Sequence, residues 1–413
     1  MNEREAKIEE LLTRGVAEAI DREHLKKRLL AGEKLRVKLG IDPTSPNIHL
    51  GRSVALLKLR DFQELGCQIV LIVGNFTGLI GDTSDKDAER PMLDQATVEF
   101  NMGSYFDQAA KVLDMNSVER HFNAEWLRDL GYLEIGEQAD AFSVHEFISR
   151  ENIRKRLDAG KRVSLREILY PLMQGYDSVE VRADVEIGGT DQRFNILAGR
   201  TMQSKYGQHP QDIVTVNLIP GIDGRKMSSS WGNTINLSDE PNEMFGKVMS
   251  VPDELIVTYF VHATRVQTEE IVSLESAMKG GSNPRDAKIR LAGEIVRMYH
   301  GVKAAADAEA YFVRVHSEGR EPLDMPSASP SPSPSPSPSP SHGSEAEIFE
   351  SLESFVANVG FATSKSDARR KIEQGGVSID GEKISDPKTP LDPALHDGKV
   401  LRVGKRDFIR IVF

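Results

Sequence analysis

The sequence holds a single cysteine, Cys67, so neither a disulfide framework nor a cysteine-based metal site is open to it. It contains no run of about 18 apolar residues, which removes a membrane-spanning helix from consideration. Its opening stretch, MNEREAKIEELLTRG, lacks the apolar centre of a signal peptide and reads as a charged helix. These absences predict a chain of the reducing cytoplasm, with Cys67 packed as core at the head of the apolar run Gln68 to Val73. Positive charge is also short: 52 Lys+Arg face 63 Asp+Glu, a formal net charge of −11. That balance excludes a protein that coats nucleic acid non-specifically, although one local basic patch suffices for a specific RNA.

What is present suits a multi-domain globular chain: 413 residues, 39% hydrophobic and 28% charged, enough for two or three cores. In the first half, strand and helix signals alternate. Leu35 to Ile41 reads as a buried strand, and Gly51 to Leu65 as a helix stopped by Gly66. Further short β-branched runs lie at Gln68 to Val73, Val181 to Ile187 and Ile213 to Ile219. Strands alternating with helices predict an α/β domain with a parallel sheet over residues 1–235. From about Pro241 the strand signals stop, and Arg285 to Tyr299 carries apolar residues at helical spacing, predicting a helical domain over 236–325. The alternating Pro-Ser tract within 326–344 cannot bury a core and predicts an extended spacer. A small module, 345–413, follows it. There Ser364-x-x-Asp367 resembles a capping box, and Val377 to Gly381 gives a strand with an Asp-Gly turn. The module's 11 Lys+Arg and 12 Asp+Glu nearly balance, with Lys365, Arg369, Arg370 and Lys371 concentrated on one helix. Taken alone, that run is an ordinary solvated helix face.

Two segments carry the chemistry. Asp42-Pro-Thr44-Ser-Pro-Asn-Ile-His49-Leu50-Gly51-Arg52 joins a predicted strand to a predicted helix N-terminus, where unpaired N–H groups and the helix dipole favour a triphosphate. Thr44 and His49 can donate to phosphate oxygens, and Gly51 lets a flat nucleotide approach the backbone. The second is Lys226-Met227-Ser228-Ser229-Ser230, in a glycine-flanked loop whose lysine can neutralise charge on a leaving pyrophosphate. Separately they read as a helix cap and a polar loop. Between them stand Thr77-Gly-Leu-Ile-Gly81-Asp82-Thr-Ser84 with Lys86 and Arg90 beyond, Tyr170-x3-Gln174-x2-Asp177, and Glu186-Ile-Gly188-Gly189-Thr190-Asp191-Gln192.

In this order, across about residues 35–235, the five segments resemble the tyrosyl branch of the class I aminoacyl-tRNA synthetases, whose two signatures are usually written HIGH and KMSKS. The resemblance implies a Rossmann-type catalytic domain that joins tyrosine to ATP and passes it to tRNA(Tyr), with Mg²⁺ present. It implies that Thr44, His49, Lys86, Arg90 and Lys226 serve the reaction, and that Gly51, Arg52, Gly189, Asp191, Lys226 and Ser229 meet ATP. Asp177 would hold the tyrosine hydroxyl, and Asp82, Tyr170 and Gln174 the α-ammonium. Asp42 and Gln192 would line the rest of the amino-acid site. Buried partners for the hydroxyl are what reject phenylalanine, a rule for which this family is the usual illustration. Lys38 stands where many members carry a hydroxyl-contacting tyrosine, and is read as a branch variant.

Two positions depart from the signatures. Arg52 replaces the last residue of HIGH, and Ser229 the second lysine of KMSKS; Lys226, Lys86, Arg52 or a bound cation such as K⁺ can offset the missing charge. The tail resembles the α+β S4 RNA-binding domain of the bacterial enzymes, which makes Lys365, Arg369, Arg370 and Lys371 candidate tRNA phosphate contacts. The resemblance also implies a homodimer. A tryptophanyl enzyme shares the signatures but lacks the Tyr170/Gln174/Asp177 trio and this tail. A non-catalytic RNA-binding relative finds support only in the two altered signatures.

Overall fold

A computed structural model describes residues 2–83, 91–317, 327–331, 349–404 and 407–413. The chain divides into two compact units, 1–306 and 307–413. None of the described helices is long and apolar enough to cross a membrane.

The first unit is built on a six-stranded sheet: β1 (Val16–Ile20), β2 (Arg36–Ile41), β3 (Gln68–Val73), β4 (Val118–Phe122), β5 (Val185–Gly189) and β6 (Asp212–Val216). Their spatial order is β1-β6-β5-β2-β3-β4. Five strands run parallel, and each is followed by helix or loop that returns over the sheet, so the central strands are buried on both faces. The apolar run of β3, Ile69 to Val73, is at most 2% exposed. The sheet is mixed because β1 pairs antiparallel with β6. Its sequence, Val-Ala-Glu-Ala-Ile, has two alanines and a bulge between Val16 and Glu18, so it carries little strand signal. The predicted helix after β2 is observed at Leu50–Glu64.

From β2 the chain winds outward through β3 to β4, and then returns to the other side of β2 for β5 and β6. The strand order therefore reverses between β2 and β5. In open α/β sheets that reversal leaves a crevice beyond the carboxyl ends of the strands, where ligands bind.

The helix Leu165–Glu180 packs beside this crevice. Ser164 caps it by accepting from Arg166 N, and Glu167 accepts from Ser164 N at 2.9 Å to complete a capping box. Glu167 is also held by Arg156, whose Nη2 donates to it at 3.0 Å, and both side chains are buried. The helices Pro241–Met249 and Pro284–His300 lie in this same unit. Tyr299 reaches from the latter to donate to Ser53 Oγ at 3.0 Å, and Tyr259 donates to the Pro220 carbonyl at 2.6 Å.

In the second unit the helices Leu352–Asn358 and Lys365–Glu373 lie beside a five-stranded sheet. Phe355, Val356, Ile372, Leu401 and Ile411 lead its core. Ser364 caps the second helix by accepting from Asp367 N at 3.2 Å. The strands Val377–Ile379 and Glu382–Lys383 form a hairpin across Asp380 (φ 48°) and Gly381 (φ 82°), the paired positive values that a tight Asp-Gly turn demands. In the Pro-Ser tract, Ser327–Ala328 pairs parallel with the last strand, Asp407–Ile411; residues 332–348 lie outside the described residues.

The buried Arg156–Glu167 pair yields a stability prediction. Arg156→Met strands a buried carboxylate and should cost about 3–5 kcal/mol, whereas Arg156→Met with Glu167→Gln should recover most of it. Chemical denaturation of the two variants measures the difference; a single variant as stable as the parent would contradict it.

Candidate active site

A cavity of about 310 Å³ opens at the strand-order reversal. Its wall is made where strands end: Asp42 and Thr44 follow β2, Gly74 and Thr77 follow β3, Asn123 follows β4, and Gly189, Asp191 and Gln192 close β5. Tyr170, Gln174 and Asp177 enter from the helix Leu165–Glu180, and His49, Gly51 and Arg52 from the start of Leu50–Glu64. The loop residues Lys226 to Ser230 complete it, and Asp82 lines it too.

The two signature segments touch. Gly51 N donates to Met227 Sδ at 3.3 Å, Met227 is 4% exposed, and Ser229 Oγ donates to Ser45 Oγ at 3.3 Å. Asn233 shapes the second segment, accepting from Ser228 N at 2.8 Å and donating to the carbonyl of Lys226 at 3.0 Å. Lys226 Nζ meets Asp191 Oδ2 at 3.0 Å. The Arg52 guanidinium donates to Thr44 Oγ1 at 2.7 Å, to Tyr105 Oη at 3.0 Å and to the Asp42 carbonyl at 3.3 Å. It therefore braces the loop rather than hanging free in the cavity. Burial, helped by the charges of Arg52 and Lys226, pushes the His49 imidazole down to about 3, so it is neutral near pH 7. Its Nδ1 is buried with no hydrogen-bond partner among the described residues.

At the opposite end two carboxylates are gripped by neutral donors. Asp42 accepts from Thr77 Oγ1 at 2.7 Å and from Tyr170 Oη at 2.8 Å. Gly74 makes that approach possible, since a β-carbon there would lie 2.1 Å from Asp42 Oδ1 and 2.3 Å from Thr77 Oγ1. Asp177 accepts from Trp126 Nε1 at 2.8 Å and from Asn123 Nδ2 at 3.3 Å. Desolvation lifts Asp42 to about 6 and Asp177 to about 7; for Asp177 the nearby Lys38 charge and the Trp126 bond oppose the rise. Gln192 Nε2 donates to Asp82 Oδ2 at 2.7 Å.

An α/β crevice with Arg52 and Lys226 at one end and buried carboxyls at the other narrows the choice of family. The profile described as tRNA synthetases class I (W and Y) matches residues 30–317, and that of the S4 domain matches 351–395. The chain belongs to the class I tRNA synthetases. The tyrosine–tRNA ligase of Moorella thermoacetica is 44% identical over 407 residues, covering 97% of this chain and 94% of its own. That of Thermotoga maritima is 44% identical over 404 residues, covering 97% and 96%. Among solved structures, a C-terminally truncated mitochondrial tyrosyl-tRNA synthetase from Aspergillus nidulans superposes with a TM-score of 0.63 at 22% identity, covering 74% of this chain and 92% of its own. An Archaeoglobus fulgidus tyrosyl-tRNA synthetase complexed with L-tyrosine gives 0.59 at 22% identity, covering 74% and 99%. At that identity the two structures speak for the fold.

Within this synthetase, most residues expected at the site converge on the cavity. Leu50 of the first signature is fully buried core. Lys86 and Arg90 lie outside the described residues. Lys38 is 0% exposed and does not line the cavity; its Nζ donates to Gln174 O at 3.0 Å, Ser178 Oγ at 2.7 Å and Glu186 Oε1 at 3.0 Å. An ammonium has three donors, so none remains for a ligand hydroxyl. Its position in the sequence suggested contact; its surroundings assign it support. Lys365, Arg369, Arg370 and Lys371 belong to the second unit. There Arg369 is paired with Glu353 at 2.9 and 3.1 Å, Arg370 with Asp367 at 2.5 Å, and Lys371 donates to Phe361 O at 2.7 Å, while Lys365 is exposed. The site residues that sequence reasoning missed are Asn123, Trp126 and Asn233. The first two follow the end of β4, and a strand-end Asn with a Trp one helical turn on was the available signal.

Proposed function

We propose that this synthetase activates tyrosine with ATP, giving tyrosyl-adenylate and pyrophosphate, and then esterifies tyrosine onto the 3′ end of tRNA(Tyr) in the cytoplasm. The observation that carries the reading is Asp177, buried at the amino-acid end of the cavity and already bonded to Trp126 and Asn123. A carboxylate offers about four acceptor sites, so it can take a phenol O–H as well. An amino acid without that hydroxyl leaves the buried acceptor short of a partner, which disfavours phenylalanine. Tryptophan is disfavoured by the same demand, since its only side-chain donor sits on a larger ring system.

In this reading the tyrosine carboxylate attacks the α-phosphorus and pyrophosphate departs. The ribose hydroxyl at the tRNA terminus then attacks the adenylate carbonyl, releasing AMP. The enzyme contributes position and charge, with no covalent intermediate of its own. Asp82, Tyr170 and Gln174 are the candidates for the substrate ammonium, with Asp42 and Gln192 beside them. Gly189 and Asp191 suit the nucleotide ribose. His49, as a neutral donor, and Thr44 suit phosphate oxygens. Lys226, released from Asp191, would follow the charge that builds on pyrophosphate. Magnesium travels with the triphosphate, whose oxygens are its natural ligands, and supplies charge neutralisation there. Potassium remains the alternative source of the charge that Ser229 does not carry.

The Lys365–Glu373 helix is the candidate contact with tRNA phosphates. We assign the homodimer contact to the region 92–165, because among the described residues eight of the fifteen large exposed apolar side chains fall there, Tyr132 at 96% and Leu165 at 80% among them.

Three outcomes follow. Because Asp177 titrates at about 7 in the empty enzyme, kcat/KM for tyrosine in ATP–pyrophosphate exchange should rise as pH climbs through 7 and its carboxylate forms. Asp177→Asn should lose roughly tenfold or more in that parameter and flatten the rise, with ATP binding little changed. An unaltered pH profile would discard the assignment. Lys365→Ala with Arg370→Ala should leave exchange intact, weaken tRNA charging, and lower the salt slope of tRNA binding by about one per lost contact. Charging equal to the parent at two salt concentrations would remove this helix from the interface. Sedimentation equilibrium should give twice the chain mass, and Tyr132→Glu with Leu165→Glu the monomer; a monomeric parent would refute the dimer.

A further inference from the structure

The register of the sheet sets Lys38 on β2 directly opposite Glu186 on β5, at the strand-order reversal. Both side chains are essentially unexposed, and neither lines the cavity. Glu186 Oε1 accepts from Lys38 Nζ at 3.0 Å and from Gln174 Nε2 at 3.2 Å, while Oε2 accepts from Ser178 Oγ at 3.0 Å and from Gln211 Nε2. Four donors fill the carboxylate, and three acceptors fill the ammonium. The pair therefore has nothing left to offer a substrate directly. Among the described residues its hydrogen-bonded link to the cavity is Gln174, held twice: by its backbone carbonyl from Lys38 and by its amide nitrogen from Glu186, while the opposite charges of the pair act on Asp177 in opposite directions.

We propose that Lys38 and Glu186 are positioning residues for the amino-acid substrate, acting through Gln174. Turning the Gln174 amide over would set its oxygen against the Glu186 carboxylate, an arrangement with two acceptors and no proton. The carboxylate thereby dictates that the amide nitrogen faces inward. The oxygen is then the atom the cavity can use, an acceptor matched to a substrate ammonium and unsuited to a carboxylate. Glu186 thus writes the polarity of one wall of the pocket from behind it. This rests on the tyrosine-activation reading above, in which Gln174 meets the substrate ammonium.

The test uses the full chain with Lys38→Met/Glu186→Met, since replacing both members of a buried ion pair with apolar residues of similar size commonly preserves folding. Exchange kinetics with tyrosine are compared with inhibition by 3-(4-hydroxyphenyl)propionate, which is tyrosine without its ammonium group. Expected is a roughly tenfold rise in KM for tyrosine. KM for ATP and inhibition by the deaminated analogue should stay within about twofold. On a Gln174→Ala background the same pair of changes should add nothing, because the route through the amide is already gone. Should the double variant not fold, Glu186→Asp keeps the charge pair while drawing the acceptor back from Gln174, and the same loss of discrimination is expected of it. Equal weakening of tyrosine and its analogue, or an additive effect with Gln174→Ala, would overturn the proposal while leaving tyrosine activation in place. A parent enzyme without tyrosine-dependent exchange would overturn both.

Discussion

The two halves of the sheet are joined along a short seam. β2 and β3 pair over six residues, whereas β2 and β5 share two pairs, Val37 with Val185 and Lys38 with Glu186. The second of these is a buried ion pair, tolerated in a low-dielectric interior only because every donor and acceptor on it is filled. Such a pair is exacting about register. A slip of one residue would turn Lys38 to the other face of the sheet and leave two unpaired charges in the core. Beyond this pair the strands part, and the cavity occupies the opening. The position of Gln174, the separation of Asp42 from Gly189, and the crevice itself all follow from how these halves are held together.

Much of this was legible before any coordinates. Four of the parallel strands announce themselves as β-branched runs, whereas β4, Val-Glu-Arg-His-Phe, carries one such residue and gave no strand signal; the signature segments sit at strand ends because that is where an open sheet puts ligands. Tyr170, Gln174 and Asp177 were readable as neighbours because helical spacing brings them to one side. Other features were not legible, for identifiable reasons. β1 is an edge strand with two alanines, stabilised by its pairing with β6 rather than by its own composition. Trp126 and Asn123 reach Asp177 across more than fifty residues of sequence, and no local pattern encodes that bond. Lys38 occupies a position where contact with ligand was the natural guess, yet burial and saturation of its three donors decide otherwise. Spacing predicts neighbours on one element; it does not predict which donors tertiary packing has already spent.

Three buried ionisable groups of the cavity share a tendency: each drifts toward its neutral form as water is withdrawn. Asp42 and Asp177 rise while His49 falls. Charge is kept where it is braced, as with Arg52 against Thr44 and Tyr105, and Lys226 against Asp191. The cavity thus sets braced cations at one end against carboxyls at the other, two of which, Asp42 and Asp177, hold their protons to higher pH than a free aspartate. In the proposed reaction, which joins a zwitterion to a polyanion, the substrates themselves bring most of the charge.

The chain has two tryptophans, and their placement makes the protein its own optical instrument. Trp126 donates its indole N–H to Asp177 at the amino-acid end of the cavity. Trp231 directly follows the signature loop at the other end, half exposed, with the Arg225 guanidinium 5.0 Å from its ring centre. Indole emission therefore arises from only two places, one beside each half of the crevice, in electrostatic surroundings that differ sharply. Removing either ring would leave a single intrinsic fluorophore reporting on the other end, with no label added to the molecule.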